Sequence, residues 1–253
     1  KKFPIISKPI INLNGMGVGS KKIKNKKEFN KEYKSTNFWC QFLNGDHYSH
    51  DIILRKGKII YFTSFYGKKW KLGTFKYWKE EYIEIPKNVQ KIIDNYLNDF
   101  TGSVNMETIG EYVIEAHLRM GDINLTDKEI IKLLLMNLLE DTSEKDIKRQ
   151  LKKINNKKIN KINLIPVWEN KFTNFESIVE KKYKLVEKII VPILQDDDKV
   201  IDYYIDSPDF PEPENYKRWF LLLSYDLNYS IKLAKKLEKM IKNLFLDNNQ
   251  IYH

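Results

Sequence analysis

Apolar and polar positions alternate over short stretches in the first half of the chain, and this alternation marks extended segments rather than long helices. Phe3 to Ile6 is a short apolar strand that runs into Lys8-Pro9. Phe38 to Leu43, His50 to Leu54 and Lys58 to Phe65 have strand composition, with turns at Asn44-Gly45-Asp46 and Lys56-Gly57. Glu28 to Tyr33 reads as a short helix. After Pro86 the period lengthens, with Val89, Ile92, Ile93, Tyr96, Leu97 and Phe100 at helical spacing. Ser103 to Glu107 and Tyr112 to Arg119 then return to strand patterning around Gly110.

The second half changes character. Thr126 and Glu129 form a capping-box pattern ahead of an amphipathic helix through Leu139. Lys153 to Asn163 is low in complexity and reads as a loop or frayed helix. Leu164 to Trp168 and Val200 to Ile205 look like short strands, and Phe175 to Ile190 like a helix. Pro208, Pro211 and Pro213 mark a loop before helices expected at Tyr216 to Leu223 and Tyr229 to Phe245. The expected class is α+β, with a boundary near Leu125 between residues 1–124 and a mainly helical region, 125–253.

The 253 residues are 42% apolar and 13% aromatic, enough for a substantial core. No apolar run approaches the roughly 20 residues of a bilayer span. The single cysteine, Cys40, excludes an internal disulfide framework and multi-cysteine zinc sites, and its apolar neighbours suggest a buried, inert thiol. A soluble, cytoplasmic protein is expected. The chain opens on Lys1 rather than methionine, which leaves room for a leader or an upstream domain.

The net charge of +10 is dominated by lysine, since Arg55, Arg119, Arg149 and Arg218 are the only arginines among 44 basic residues. It is concentrated in Lys21 to Lys34, at +5, and Lys145 to Lys161, at +7. Such patches attract nucleic acid or anionic substrates. Base readout favours arginine forks, however, so a solvated lysine surface is the simpler reading.

The segment Gly102 to Gly121, GSVNMETIGEYVIEAHLRMG, carries the densest candidate chemistry. Strand alternation and a three-residue loop, Ile109-Gly110-Glu111, pair Asn105 with Glu115 and Glu107 with Val113. That register gathers Asn105, Glu107, Glu115, His117 and Arg119 on one face. Carboxylates and an amide at this spacing suit a hard divalent cation that bridges phosphate oxygens. A half-exposed hairpin whose polar face meets water is the alternative. Upstream, Gly15-Met16-Gly17-Val18-Gly19-Ser20 permits close backbone approach to phosphate, with Lys8 as a nearby point charge. His50 and Asp51 are expected to face solvent.

In order, the strand ending in Lys-Pro (PIISKP), the glycine loop (GMGVGS), the hinge-like QFLNGDHYSHD and the hairpin VNME…VIEAHLR resemble the ATP-grasp superfamily over residues 1–124. The resemblance implies a nucleotide held between two β-sheets beneath the glycine loop, with Mg²⁺ on the last hairpin. It also implies a ligase that phosphorylates a carboxylate substrate for attack by an amine or thiol. On this reading Lys8 contacts phosphate and Gly15, Gly17, Gly19 and Ser20 cover the triphosphate. Gln41 and Leu43 offer main-chain groups to adenine, and His47 takes the position of a ribose-binding acid. Asn105 and Glu115 occupy the two metal positions, with Glu107 supplying a missing charge. His117 stands where the family has asparagine, and Arg119 matches its phosphate- or intermediate-binding arginine. A nucleotide-binding scaffold without turnover, and a lysine-rich protein associated with nucleic acid, are the competing expectations.

Overall fold

In the computed structural model, the described residues are 2–11, 19–70, 74–121, 127–139, 141–157, 161–170, 176–207 and 216–246. The chain divides into two compact units, each assembled from separated stretches. One comprises Lys1–Phe42, Lys69–Tyr77 and Asn163–His253; the other comprises Leu43–Lys68 and Trp78–Ile162. Both units cross the boundary expected near Leu125.

The first unit opens with β1 (Ile5–Pro9), β2 (Lys21–Ile23), α1 (Lys26–Glu32) and β3 (Asn37–Gln41). Their sheet order is β2-β1-β3 and both pairings are antiparallel. The Asn25 side chain caps α1 by accepting from the Glu28 N–H at 2.9 Å, while the Glu28 carboxylate accepts from the Lys24 N–H at 2.8 Å. This reciprocal cap starts a helix inside the lysine run. Its one buried residue, Phe29, packs edge-on against Trp39 with centroids 4.7 Å apart, closing a small core with Ile5 and Ile23.

The second unit contains β4 (His47–Arg55), β5 (Lys58–Lys69), β6 (Phe75–Glu81), α2 (Lys87–Tyr96), β7 (Gly102–Ile109), β8 (Tyr112–His117), α3 (Lys128–Leu138) and α4 (Glu144–Lys157), with β5 and β6 reaching across its borders. Its strands lie in the order β6-β5-β4-β7-β8. Lys56 and Gly57 both have positive φ, 48° and 71°, and form the tight β4–β5 turn. One sheet face carries Ile52, Leu54, Val104 and Met106 under Val89 and Ile93 of α2. On the other face, Ile53 and Tyr61 are covered by Ile130 and Leu133 of α3 and by Ile147 and Ile154 of α4.

Asp127, rather than Thr126, caps α3, its side chain accepting from the Glu129 N–H at 2.8 Å; Thr126 lies outside the described residues. The low-complexity stretch is helical through Lys157, because Ile147, Leu151 and Ile154 recur on the face that meets the core.

The first unit resumes with β9 (Asn163–Asn170), α5 (Glu176–Gln195), β10 (Asp202–Ile205), β11 (Tyr216–Ser224) and α6 (Leu227–Leu246). Besides the helices α3 to α6, the region 125–253 holds a sheet in the order β10-β11-β9. The helix expected at Tyr216 to Leu223 is the central strand β11. Its run Trp219–Leu223 is buried throughout, and short apolar runs of this kind suit a strand packed on both faces. Val186, Ile190 and Leu194 of α5 join Leu233, Leu237 and Ile241 of α6 against Ile165, Val167 and Leu222. No helix among the described residues is long and apolar enough to cross a membrane.

Candidate functional site

Strand β4 lies between β5 and β7, and the register assigns side chains to rows across the second unit's sheet. On the face shared with Ile53, the next row toward the β4 N-terminus is Thr63, Asp51, Asn105 and His117. The following row is Phe65, Ser49, Glu107 and Glu115, and His47 lies one row beyond. This face thus turns from apolar to polar between Ile53 and Asp51, beyond the helix-covered core.

The hairpin register differs from the expected one. Ile109 pairs with Tyr112, so the connection is Gly110-Glu111, with Gly110 at φ 57°. A bulge at Ile114 then shifts the ladder, so that Glu107 faces Glu115 and Asn105 faces His117. Val113 turns to the opposite face and packs into the α2 core. Asn105, Glu107, Glu115 and His117 share one face in this register.

Glu107 and Glu115 each have an imidazole partner. His47 Nε2 lies 2.8 Å from Glu107 Oε2, and the buried His47 ring is held edge-on by Trp78, with centroids 5.6 Å apart. His117 Nε2 lies 3.0 Å from Glu115 Oε1. Asn105 is buried and its Nδ2 donates to Asp51 Oδ1 and Ser49 Oγ, both at 2.8 Å. Arg119 follows the end of β8, is exposed, and donates from Nη1 to the Met120 carbonyl at 2.9 Å.

His50 and Asp51 do not face solvent. Both are buried, because β4 is a central strand with neighbours on each side. His50 points to the α2 face, where Nδ1 meets Ser64 Oγ at 2.7 Å and Nε2 meets Thr108 Oγ1 at 3.0 Å. Its ring stacks between Tyr48 and Phe62. Burial, and secondarily the nearby charge of His47, pull its pKa down to about 4. Asp51 is the polar residue of this face that sequence reasoning missed.

In the first unit, Lys8 sits in β1 opposite Phe38. Its charge opposes burial at the Cys40 thiol, but burial dominates and pushes that thiol up. Gly15 and Gly17 lie outside the described residues. Gly19 has φ 77°, and a Cβ there would come 2.9 Å from Pro9 Cγ, so this end of the β1–β2 connection requires glycine. Ser20 follows it. Gln41 ends β3 opposite Ile5, and Leu43 begins the second unit.

The donor set of the hairpin fits a hard divalent cation. It offers the Glu107 and Glu115 carboxylates across one strand pair and an amide oxygen at Asn105. Among the described residues no three His, Cys, Asp or Glu side chains form a ready-made metal cluster, in keeping with the two carboxylate–imidazole pairs.

No protein-family model and no curated protein matches the chain. Solved structures do. An L-amino acid ligase from Bacillus licheniformis superposes with a TM-score of 0.57 at 12% identity, covering 94% of this chain and 62% of that one. The fold is that of the ATP-grasp superfamily. An N5-carboxyaminoimidazole synthetase from Staphylococcus aureus gives 0.55 at 12% identity, covering 94% and 61%. An N5-carboxyaminoimidazole synthase from Aspergillus clavatus, in complex with ADP and 5-aminoimidazole ribonucleotide, gives 0.55 at 6% identity, covering 95% and 63%. The chain therefore spans about three fifths of the length of these ATP-grasp structures.

Proposed function

We propose that the chain belongs to an ATP-dependent ligase that activates a carboxylate substrate as an acyl phosphate. The observation that carries this reading is the cross-strand pair Glu107–Glu115 on the β7–β8 hairpin of an ATP-grasp fold. Glu107, Glu115 and the Asn105 amide oxygen would hold Mg²⁺. Bound with ATP, the cation would offset charge on the triphosphate oxygens. His47 and His117 hold the two carboxylates in place, and the Arg119 guanidinium offsets charge on the transferred phosphoryl group. In the reaction, a substrate carboxylate oxygen bonds to the γ-phosphorus as the bond to ADP breaks. An amine or thiol then attacks the acyl carbon and phosphate leaves. Lys8, Gly15, Gly17, Gly19, Ser20, Gln41 and Leu43 are kept as nucleotide-binding candidates on the strength of the resemblance alone.

The test is a thermal shift with millimolar Mg·ATP on the wild type and on Glu115→Gln, followed by an assay for ADP release. The wild type should be stabilised by Mg·ATP and Glu115→Gln should not. ADP release should require both a carboxylate and a nucleophile. A wild type that Mg·ATP does not stabilise would overturn the proposal.

Two features favour a second reading, a nucleotide-binding module without turnover. An amide stands at 105, and both acids are already paired with imidazoles. That module would bind ATP and release no ADP with any carboxylate offered.

A further inference from the structure

Asp51 takes a carboxylate into a nearly sealed position, 1% exposed. Its Oδ1 accepts from Asn105 Nδ2 at 2.8 Å and from the Gly121 backbone N–H at 2.7 Å. An ionised carboxylate only accepts, so the arm of the Asn105 amide that meets it is the nitrogen. The same nitrogen donates to Ser49 Oγ at 2.8 Å, so both contacts lie on the β4 side. The oxygen arm of this planar group is thereby turned away from β4. Gly121 completes the arrangement: a Cβ there would lie 3.0 Å from Asn105 Nδ2 and 3.1 and 3.2 Å from the two Asp51 oxygens.

We infer that Asp51 is a positioning residue for the candidate cation site. It fixes the Asn105 amide with its oxygen available to the cation, and it anchors the chain at Gly121, two residues beyond Arg119. The inference rests on the reading of Glu107 and Glu115 as cation ligands. A leucine at 51 would keep the bulk and remove the acceptor that the Gly121 N–H and Asn105 Nδ2 share. The amide at 105 would then be free to turn over and withdraw its oxygen. With Asp51 in place, one orientation is specified before any ligand arrives.

The experiment uses the whole chain, with Mn²⁺·ATP and metal-free ATP as probes in calorimetric titrations. Hydrogen exchange at the Gly121 amide is followed by NMR. For Asp51→Leu the expected result is at least tenfold faster exchange at Gly121 and at least tenfold weaker Mn²⁺·ATP binding, with metal-free ATP affinity unchanged. Glu115→Gln should lose the same metal-dependent affinity without altering exchange at Gly121. Faster exchange with unchanged Mn²⁺·ATP affinity would reduce Asp51 to a tether and overturn the inference. So would a parallel loss of both affinities. If the wild type binds neither probe, the functional reading falls and takes the inference with it, a result distinct from failure of the variant alone. If Asp51→Leu does not fold, Gly121→Ala replaces it and must show the same metal-specific loss.

Discussion

His47 and Glu107 meet at 2.8 Å one row apart on the β4–β7 pair, the imidazole buried and the carboxylate half-buried. Glu107 in turn stands directly opposite Glu115. One acid of the cross-strand pair is thus held by a ring that Trp78 keeps in place, which limits how far the carboxylate moves when it is free of ligand. Replacing His47 by alanine removes that partner and the ring contact together. The expected cost is about 2 kcal/mol, in the range for a hydrogen bond to a charged group. Urea unfolding followed by tryptophan fluorescence measures it. A loss within experimental error would show that the pair contributes little to holding β7.

His50 makes stability depend on pH in a defined window. Its folded pKa, about 4, lies below the ordinary value of 6.5 because burial disfavours the charged ring. Below pH 6.5 the unfolded chain therefore binds a proton that the folded chain refuses. Its contribution is intact above that pH, declines as the pH falls, and is lost below about 4. The full effect is roughly 3 kcal/mol at 1.36 kcal/mol per unit. Chemical denaturation at pH 7, 5.5 and 4.5 should show this slope in the wild type, and His50→Gln should flatten it.

Among the described glycines, Gly57 leaves the least room for a side chain. Its φ is 71°, and a Cβ would fall 1.9 Å from the Asn98 carbonyl oxygen. Gly57→Ala must displace that backbone as well as strain the turn, so a loss above about 2 kcal/mol is expected. Thermal unfolding measures it. A near-neutral result would mean that the chain around Asn98 yields easily.

In the first unit, Lys182 and Glu169 form a buried ion pair, and Trp219 Nε1 donates to the second glutamate oxygen at 2.9 Å. Burial pulls the lysine pKa down while the glutamate opposes the shift. Lys182→Met leaves the carboxylate without its buried counter-charge, and a loss of about 3 kcal/mol is expected. Adding Glu169→Gln should recover part of it. Strict additivity in this double-mutant cycle would show that the two charges are not coupled.

The β7–β8 hairpin was legible because its polar residues alternate with apolar ones around a glycine. Its register was not, because a bulge at Ile114 leaves no trace in composition; Ile114 reads like any other strand residue. β2 and β6 were hidden by lysine and glutamate, in KKI and FKYWKEE, where strand alternation is obscured by charge. α4 was hidden by repetitive sequence, although Ile147, Leu151 and Ile154 hold helical spacing. β11 reads as helix as readily as strand, because a continuous apolar run carries no period. Asp51 was misplaced for a related reason. An acid beside a turn is usually exposed, and only the pairing of β4 on both edges shows that this one is not.

The division of the chain also bears on the order of its assembly during synthesis. All the residues of the unit formed by Leu43–Lys68 and Trp78–Ile162 are synthesised before β9, β11 and α6. The other unit draws on segments at both ends of this sequence and must wait for the later ones. Strands β1 to β3 are thus made before the other unit, yet their own unit is completed after it, and that interval is when a chaperone would have most to protect.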